Sequence, residues 1–195
     1  DSVGLRMPAH PMALELIRLS GVPIAAPSAN RFMQLSPTSA EHVRRSLGDG
    51  VDLVLDGGST PVGIESTVLS LVGEPTLLRP GMISREEIES LIGPVSIGGQ
   101  PGAGAHPSPG MHQRHYSPLT PLLLVRGGAL PTKGLGVYMK HGESMPGNAR
   151  DYAAALYAKL HQLDQQGYDW IAVEEPPGEP EWAGIGDRLR RAAGR

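Results

Sequence analysis

The stretch "APSANRFMQLSPTS", residues 26–39, sets the reading of the chain. It holds three serines, one threonine and one asparagine, no acid, and one base, Arg31. It follows the apolar run 22–25 and precedes a helix-like run. A hydroxyl-rich handover from strand to helix is either an ordinary capped turn, since Ser and Asn favour both, or the wall of a pocket for a phosphate or small polar ligand. Either way the order is strand, then loop, then helix, which is an α/β pattern.

Outward from this stretch the same alternation continues. Residues 11–20, "PMALELIRLS", predict a helix with Pro11 in its first turn and Gly21 as its stop. Met12, Leu14, Leu16 and Ile17 are its expected buried face. Residues 22–26 predict a short buried strand. Residues 38–47 predict a helix opened by a Thr38/Glu41 capping box. Residues 51–58, "VDLVLDGG", predict a strand, and 65–73 with 75–81 predict a strand pair around a Gly-Glu turn. Ser84 and Glu87 form a second capping box, opening a helix that Gly93 closes. Between Gly93 and Pro118 periodicity vanishes and Gly, Pro, Ser and His dominate, as in a long functional loop. Beyond it, 121–127, 134–139 and 169–175 predict strands of a small parallel sheet. Residues 149–166 predict a helix with Tyr152, Leu156, Leu160 and Leu163 on one buried stripe. Residues 184–194 predict a closing helix whose Arg188, Arg190 and Arg191, with Arg195 after it, form a solvated basic face. An RNA contact is the alternative reading of that face.

Composition narrows the chemistry. The chain has 195 residues, 39% of them apolar, enough for a core. Its formal charge of −3 gives no support to a strongly basic nucleic-acid surface. The absence of cysteine excludes disulfides, thiolate metal sites and a Cys nucleophile. No apolar run approaches the ~20 residues of a membrane span. His106, His112 and His115 lack the tight spacing of a metal site, so none is expected.

"PSAN", "SPT" eight residues after Ser28, "GIESTVLSL", "LLRPGMIS" and "SPGMHQRHYSP" occur in this order. The set resembles the threonylcarbamoyl-AMP synthase family with its YrdC-like catalytic domain, in the two-domain form with an accessory domain. The resemblance implies an α/β fold. Residues 1–95 would be the C-terminal portion of a YrdC-like twisted open mixed sheet with helices. Residues 96–118 would be an interdomain linker and active-site lid, and 119–195 a small Rossmann-like accessory domain. It implies an enzyme that converts L-threonine, bicarbonate and ATP, with Mg²⁺ on the phosphates, to threonylcarbamoyl-adenylate and pyrophosphate. The product would feed cytoplasmic N6-threonylcarbamoyladenosine modification of tRNA through downstream threonylcarbamoyl-transferase proteins. A tRNA or double-stranded RNA contact and no membrane partner go with it.

Carried over residue by residue, the resemblance assigns Ser2, Ser28, Asn30, Ser36, Arg79 and Tyr116 to ATP, with Arg114 and His115 beside the tyrosine. It assigns Arg6, Ala26 and Ser66 to threonine. Positioning and charge stabilisation would dominate such a reaction, so hydroxyls and arginines suit it. Two departures stand out. The Thr and Lys-x-Arg elements of the family's first half have no counterpart here, so the expectation is an incomplete catalytic domain, inactive alone. Asp187 stands where the closing helix of the family has Asn. Two other functions fit parts of the pattern: a carbamoyltransferase using carbamoyl-adenylate, and a non-catalytic RNA- or ribosome-binding module.

Overall fold

A computed structural model describes residues 2–98 and 115–194. The chain runs through α1 (Pro11–Ser20), α2 (Ala40–Leu47), β1 (Val68–Ser70), β2 (Thr76–Arg79), α3 (Arg85–Ile92), β3 (Ser96–Ile97), β4 (Leu122–Val125), β5 (Gly136–Met139), α4 (Ala149–Leu163), β6 (Trp170–Glu174) and α5 (Ala183–Ala192). The strands form two small sheets. One is mixed, in the order β1-β2-β3, with β1 antiparallel and β3 parallel to β2. The other is wholly parallel, in the order β4-β6-β5. The mixed α/β architecture is the expected one.

The parallel sheet carries the core. Ile171, Ala172 and Val173 of the central strand are fully buried. A central parallel strand covered on both faces needs such an unbroken apolar run. The α4 stripe of Tyr152, Leu156, Leu160 and Leu163 packs into the same cluster, as do Ile185 and Leu189 of α5. Leu35, Ile64 and Tyr116 join that cluster, so one apolar core ties the first half of the chain to the second. Two close backbone approaches fix the junction. A Cβ on Gly63 (φ +81°) would lie 2.1 Å from the Ala153 carbonyl of α4. A Cβ on Gly184 would lie 2.7 Å from the carbonyl of Gly81.

Several local expectations change. Residues 22–26 and 51–58 form no strand. A strand exists only where a neighbouring strand takes its N–H and C=O groups, and among the described residues no strand pairs with either segment. Helix α1 forms, but it has no buried residue, and Met12, Leu14 and Leu16 are exposed. The cap of α2 is Ser39, whose hydroxyl accepts from the His42 N–H, rather than Thr38. Thr38 instead directs its backbone N–H and hydroxyl at His42 Nδ1, each at 3.2 Å. The Ser84/Glu87 capping box forms as expected. Strand β3, in a stretch without periodicity, is added by its pairing with β2. No described helix is long and apolar enough to cross a membrane.

Candidate functional site

The site grows from the start of β1. Glu65 sits one residue before Ser66, and its side chain is largely buried. Arg188 of α5 lies wholly within the protein, and its Nε donates to Glu65 Oε2 at 2.7 Å. The same guanidinium donates to the backbone oxygens of Glu65 (3.0 Å) and Pro80 (2.9 Å) and to Asp187 Oδ2 (2.8 Å). One side chain thereby clamps the "ESTV" and "RPG" segments together. A buried guanidinium with every edge engaged is the arrangement that offsets its desolvation. Asp187 also accepts from Arg191, so it holds the helix arginines in place.

Glu65 is shared three ways. Ser36 Oγ donates to Oε1 at 2.5 Å, and Tyr157 Oη donates to Oε2 at 3.1 Å. Burial alone would raise its pKa. The Arg188 charge and the Ser36 and Arg188 hydrogen bonds outweigh burial and hold the carboxyl below its ordinary value. The carboxylate can only accept, so the Ser36 hydroxyl hydrogen points at it and the Ser36 oxygen offers lone pairs elsewhere. Burial, followed by the Glu65 charge, pushes the Tyr157 hydroxyl well above its usual pKa, so it stays a proton donor.

Arg79, at the end of β2, lies beside this cluster. Its Nε donates to the Ser66 carbonyl at 3.1 Å, and a terminal nitrogen reaches the Tyr116 hydroxyl at 3.5 Å. Tyr116 is buried at φ +60°, a left-handed conformation that costs an aromatic residue on the order of 1–3 kcal/mol. Its neighbours over-determine it. The Arg188 guanidinium lies 5.2 Å from its ring centroid, Tyr157 stacks at 6.0 Å, and His115 meets it edge-on at 4.2 Å. The Ser117 N–H donates to the Met33 carbonyl and its hydroxyl to the Ala192 carbonyl. The segment 115–117 is thus clasped between the loop at 33–34 and the end of α5.

Of the sequence-assigned residues, Ser36, Ser66, Arg79 and Tyr116 converge on this cluster. Asn30 lies in the adjoining loop, where its amide nitrogen donates to the Arg31 and Gln34 carbonyls. Its Oδ1 is buried with no hydrogen-bond partner. Ser2, Arg6, Ala26 and Ser28 are exposed and make no hydrogen bond or ion pair to the cluster among the described residues. Arg114, His106 and His112 fall outside the described residues, within which no group of three or more His, Asp or Glu could hold a metal.

Three residues of the cluster, Arg188, Glu65 and Tyr157, escaped the sequence reading. Arg188 is not part of a solvated face, because it lies on the helical stripe of Ile185, Leu189 and Ala192, all buried. That spacing was the available signal. Glu65 had a weaker one, a lone carboxylate at the start of a strand.

Comparison with known proteins bears on what such a cluster serves. Residues 1–81 match the family described as "Telomere recombination", and residues 83–194 match "Threonylcarbamoyl-AMP synthase, C-terminal domain". The chain is 40% identical to threonylcarbamoyl-AMP synthase of Bacillus subtilis over 220 aligned positions, covering 100% of this chain and 64% of that protein. It is 35% identical to the Pyrococcus abyssi enzyme of the same name, with coverage of 100% and 64%. The Schizosaccharomyces pombe enzyme is 36% identical, with coverage of 97% and 56%. The crystal structure of P. abyssi Sua5 complexed with L-threonine superposes with a TM-score of 0.86 at 33% identity, over 97% of this chain and 63% of that one. The chain therefore spans under two thirds of the length of these relatives, and over that span it belongs to the threonylcarbamoyl-AMP synthase family.

Proposed function

We propose that the chain contributes the threonine- and ATP-binding face of an L-threonylcarbamoyladenylate synthase. The reaction joins L-threonine, bicarbonate and ATP into threonylcarbamoyl-adenylate and releases pyrophosphate. The carrying observation is the contact of Arg79 with both the Ser66 carbonyl and the Tyr116 hydroxyl. It puts the residue assigned to phosphate, the residue assigned to threonine and the residue assigned to the lid within one side chain's reach.

In this reading a carbamate on the threonine nitrogen attacks the α-phosphorus, a new O–P bond forms, and the bond to pyrophosphate breaks. Arg79 stabilises the charge that builds on the phosphates. Ser66 and Ala26 orient threonine, and Arg6 meets its carboxylate. Ser2, Ser28 and Asn30 complete the nucleotide side. Ser36, whose hydrogen points at Glu65, accepts from a ligand hydroxyl or amino group rather than donating to phosphate. Residues 96–118, of which 99–114 lie outside the described residues, are assigned as the lid, with 1–95 as the catalytic part and 119–195 as the accessory part. Mg²⁺ enters with ATP as substrate. Glu65 is not assigned to it, being committed to Arg188, Ser36 and Tyr157. The adenylate is consumed by a cytoplasmic transferase that modifies tRNA. Calorimetric titration of the chain with ATP and L-threonine tests the reading: both bind if it is right, and absence of both contradicts it.

A further inference from the structure

A cleft of about 260 Å³ opens beside the Glu65 cluster, and no residue assigned above to ATP or threonine lines it. Its walls come from the loop at 31–35, from α2, from residues 117–119 and from the C-terminal end of α4. Ser46 holds Arg31 in place: its Oγ accepts from the Arg31 N–H at 3.1 Å, and its carbonyl accepts from Arg31 Nε at 3.0 Å. The two terminal guanidinium nitrogens have no hydrogen-bond partner among the described residues. Arg45 stands on the same wall, with a 3.3 Å contact to Glu41 in which both side chains are exposed. Such a pair is weak and yields readily to a better acceptor.

Two histidines complete the polar lining. The His42 and His161 rings stack with centroids 3.9 Å apart. The Thr38 N–H donates to His42 Nδ1, which places the proton of the neutral ring on Nε2. That N–H has no protein acceptor among the described residues. His161 Nε2 faces the Ser36 carbonyl at 3.1 Å and carries its proton there. The one carboxylate on the walls, Asp164, gives both oxygens to the Leu119 and Thr120 N–H groups. Donors therefore outnumber unengaged acceptors in the cleft. Burial first, then the charges of His161 and Arg45 against that of Glu41, pull His42 down to about 4, so the ring is neutral near pH 7.

We propose that this cleft binds a small oxyanion of the phosphate class. Arg31 and Arg45 supply charge-assisted donors, which match the fork of phosphate oxygens. His42 Nε2–H and the Gln34 amide add neutral donors, and Leu35 and Leu119 line the remainder. A free phosphate and an RNA phosphodiester share this chemistry. The partly enclosed volume, below that of a drug-sized pocket, suits the free anion.

Imidazole NMR of the ¹⁵N-labelled chain, titrated with inorganic phosphate, tests this. The expected result is a saturable shift of the His42 and His161 resonances. The double variant Arg31→Met, Arg45→Met should bind phosphate about tenfold more weakly or worse. Both arginines are exposed, so its thermal midpoint should match the parent. Arg79→Met should leave these shifts intact, which separates this cleft from the ATP face. Competition by a short single-stranded RNA at concentrations far below those of phosphate would make the phosphodiester the source, and no competition would make it the free anion. No saturable shift at either histidine, or an unchanged titration in the double variant, overturns the proposal.

Discussion

Arg188 Nε donates to Glu65 Oε2 at 2.7 Å across 123 residues of sequence. The pair joins distant parts of the site, because Glu65 precedes Ser66 and Arg188 also holds the Pro80 carbonyl next to Arg79. The last helix of the chain thereby sets the relative position of the two segments that converge on the proposed threonine and phosphate sites.

Breaking this pair from one side should be costly. Arg188→Met leaves a buried, uncompensated carboxylate and should lower stability by about 3–5 kcal/mol. Glu65→Gln leaves the guanidinium with Asp187 as its remaining carboxylate partner and should cost less. The double variant Glu65→Gln, Arg188→Met should lose less than the sum, since neither charge then remains unpaired. Urea unfolding of the four proteins measures this coupling. Strictly additive losses would show that the pair does not act as a unit.

A glycine-to-alanine change in a helix usually stabilises by about 1 kcal/mol. Gly184→Ala should do the opposite, because its Cβ would stand 2.7 Å from the Gly81 carbonyl, a backbone atom with little room to yield. Gly178→Ala, with no neighbour within 4 Å of the methyl it would gain, is the control. Thermal midpoints should fall for the first and stay near the parent for the second.

The stacked histidines predict acid sensitivity. His42 is held near 4 in the folded chain against an ordinary 6.5, by burial first and then by His161 and Arg45, with Glu41 opposing. His161 is lowered as well, by burial, while the Ser36 carbonyl and Asp164 oppose the shift. Below 6.5 the unfolded chain takes up protons that the folded chain refuses, so stability falls as pH drops from 6.5 towards 4. The full His42 shift would correspond to about 3 kcal/mol. Its ring is only partly buried, so solvent screening reduces this to about 1 kcal/mol. His42→Asn keeps an acceptor for the Thr38 N–H and should flatten the pH dependence of the denaturation midpoint across this window.

Helix α2 offers a test of its cap. Ser39→Ala removes the acceptor for the His42 N–H and should cost about 1 kcal/mol. Denaturant midpoints read it directly.

Much of the second half was legible in sequence, because local periodicity and burial agree there. The α4 stripe is spaced for a helix, and the run around Val173 is apolar enough for a central parallel strand. Strands expected at 22–26 and 51–58 were not legible in the same sense. Apolar composition nominates a strand, but only a partner makes one, and pairing is non-local. The same holds for Arg188, which looks like a solvated base until Glu65 is brought to it by the fold. Ser36, Ser66, Arg79 and Tyr116 were nominated by motif. Their convergence depends on the left-handed turn at Tyr116 and on the clasp at Ser117, which no local pattern encodes.

The central claim is that Ser66 and Arg79 belong to one site with divided duties. Titrating the chain and its Ser66→Ala and Arg79→Ala variants with L-threonine and with ATP addresses it most directly. Ser66→Ala should weaken threonine about tenfold and leave ATP within about twofold, and Arg79→Ala should do the reverse, as expected for loss of a hydrogen bond to a charged group. Equal losses of both ligands in both variants, or no loss in either, would contradict the account.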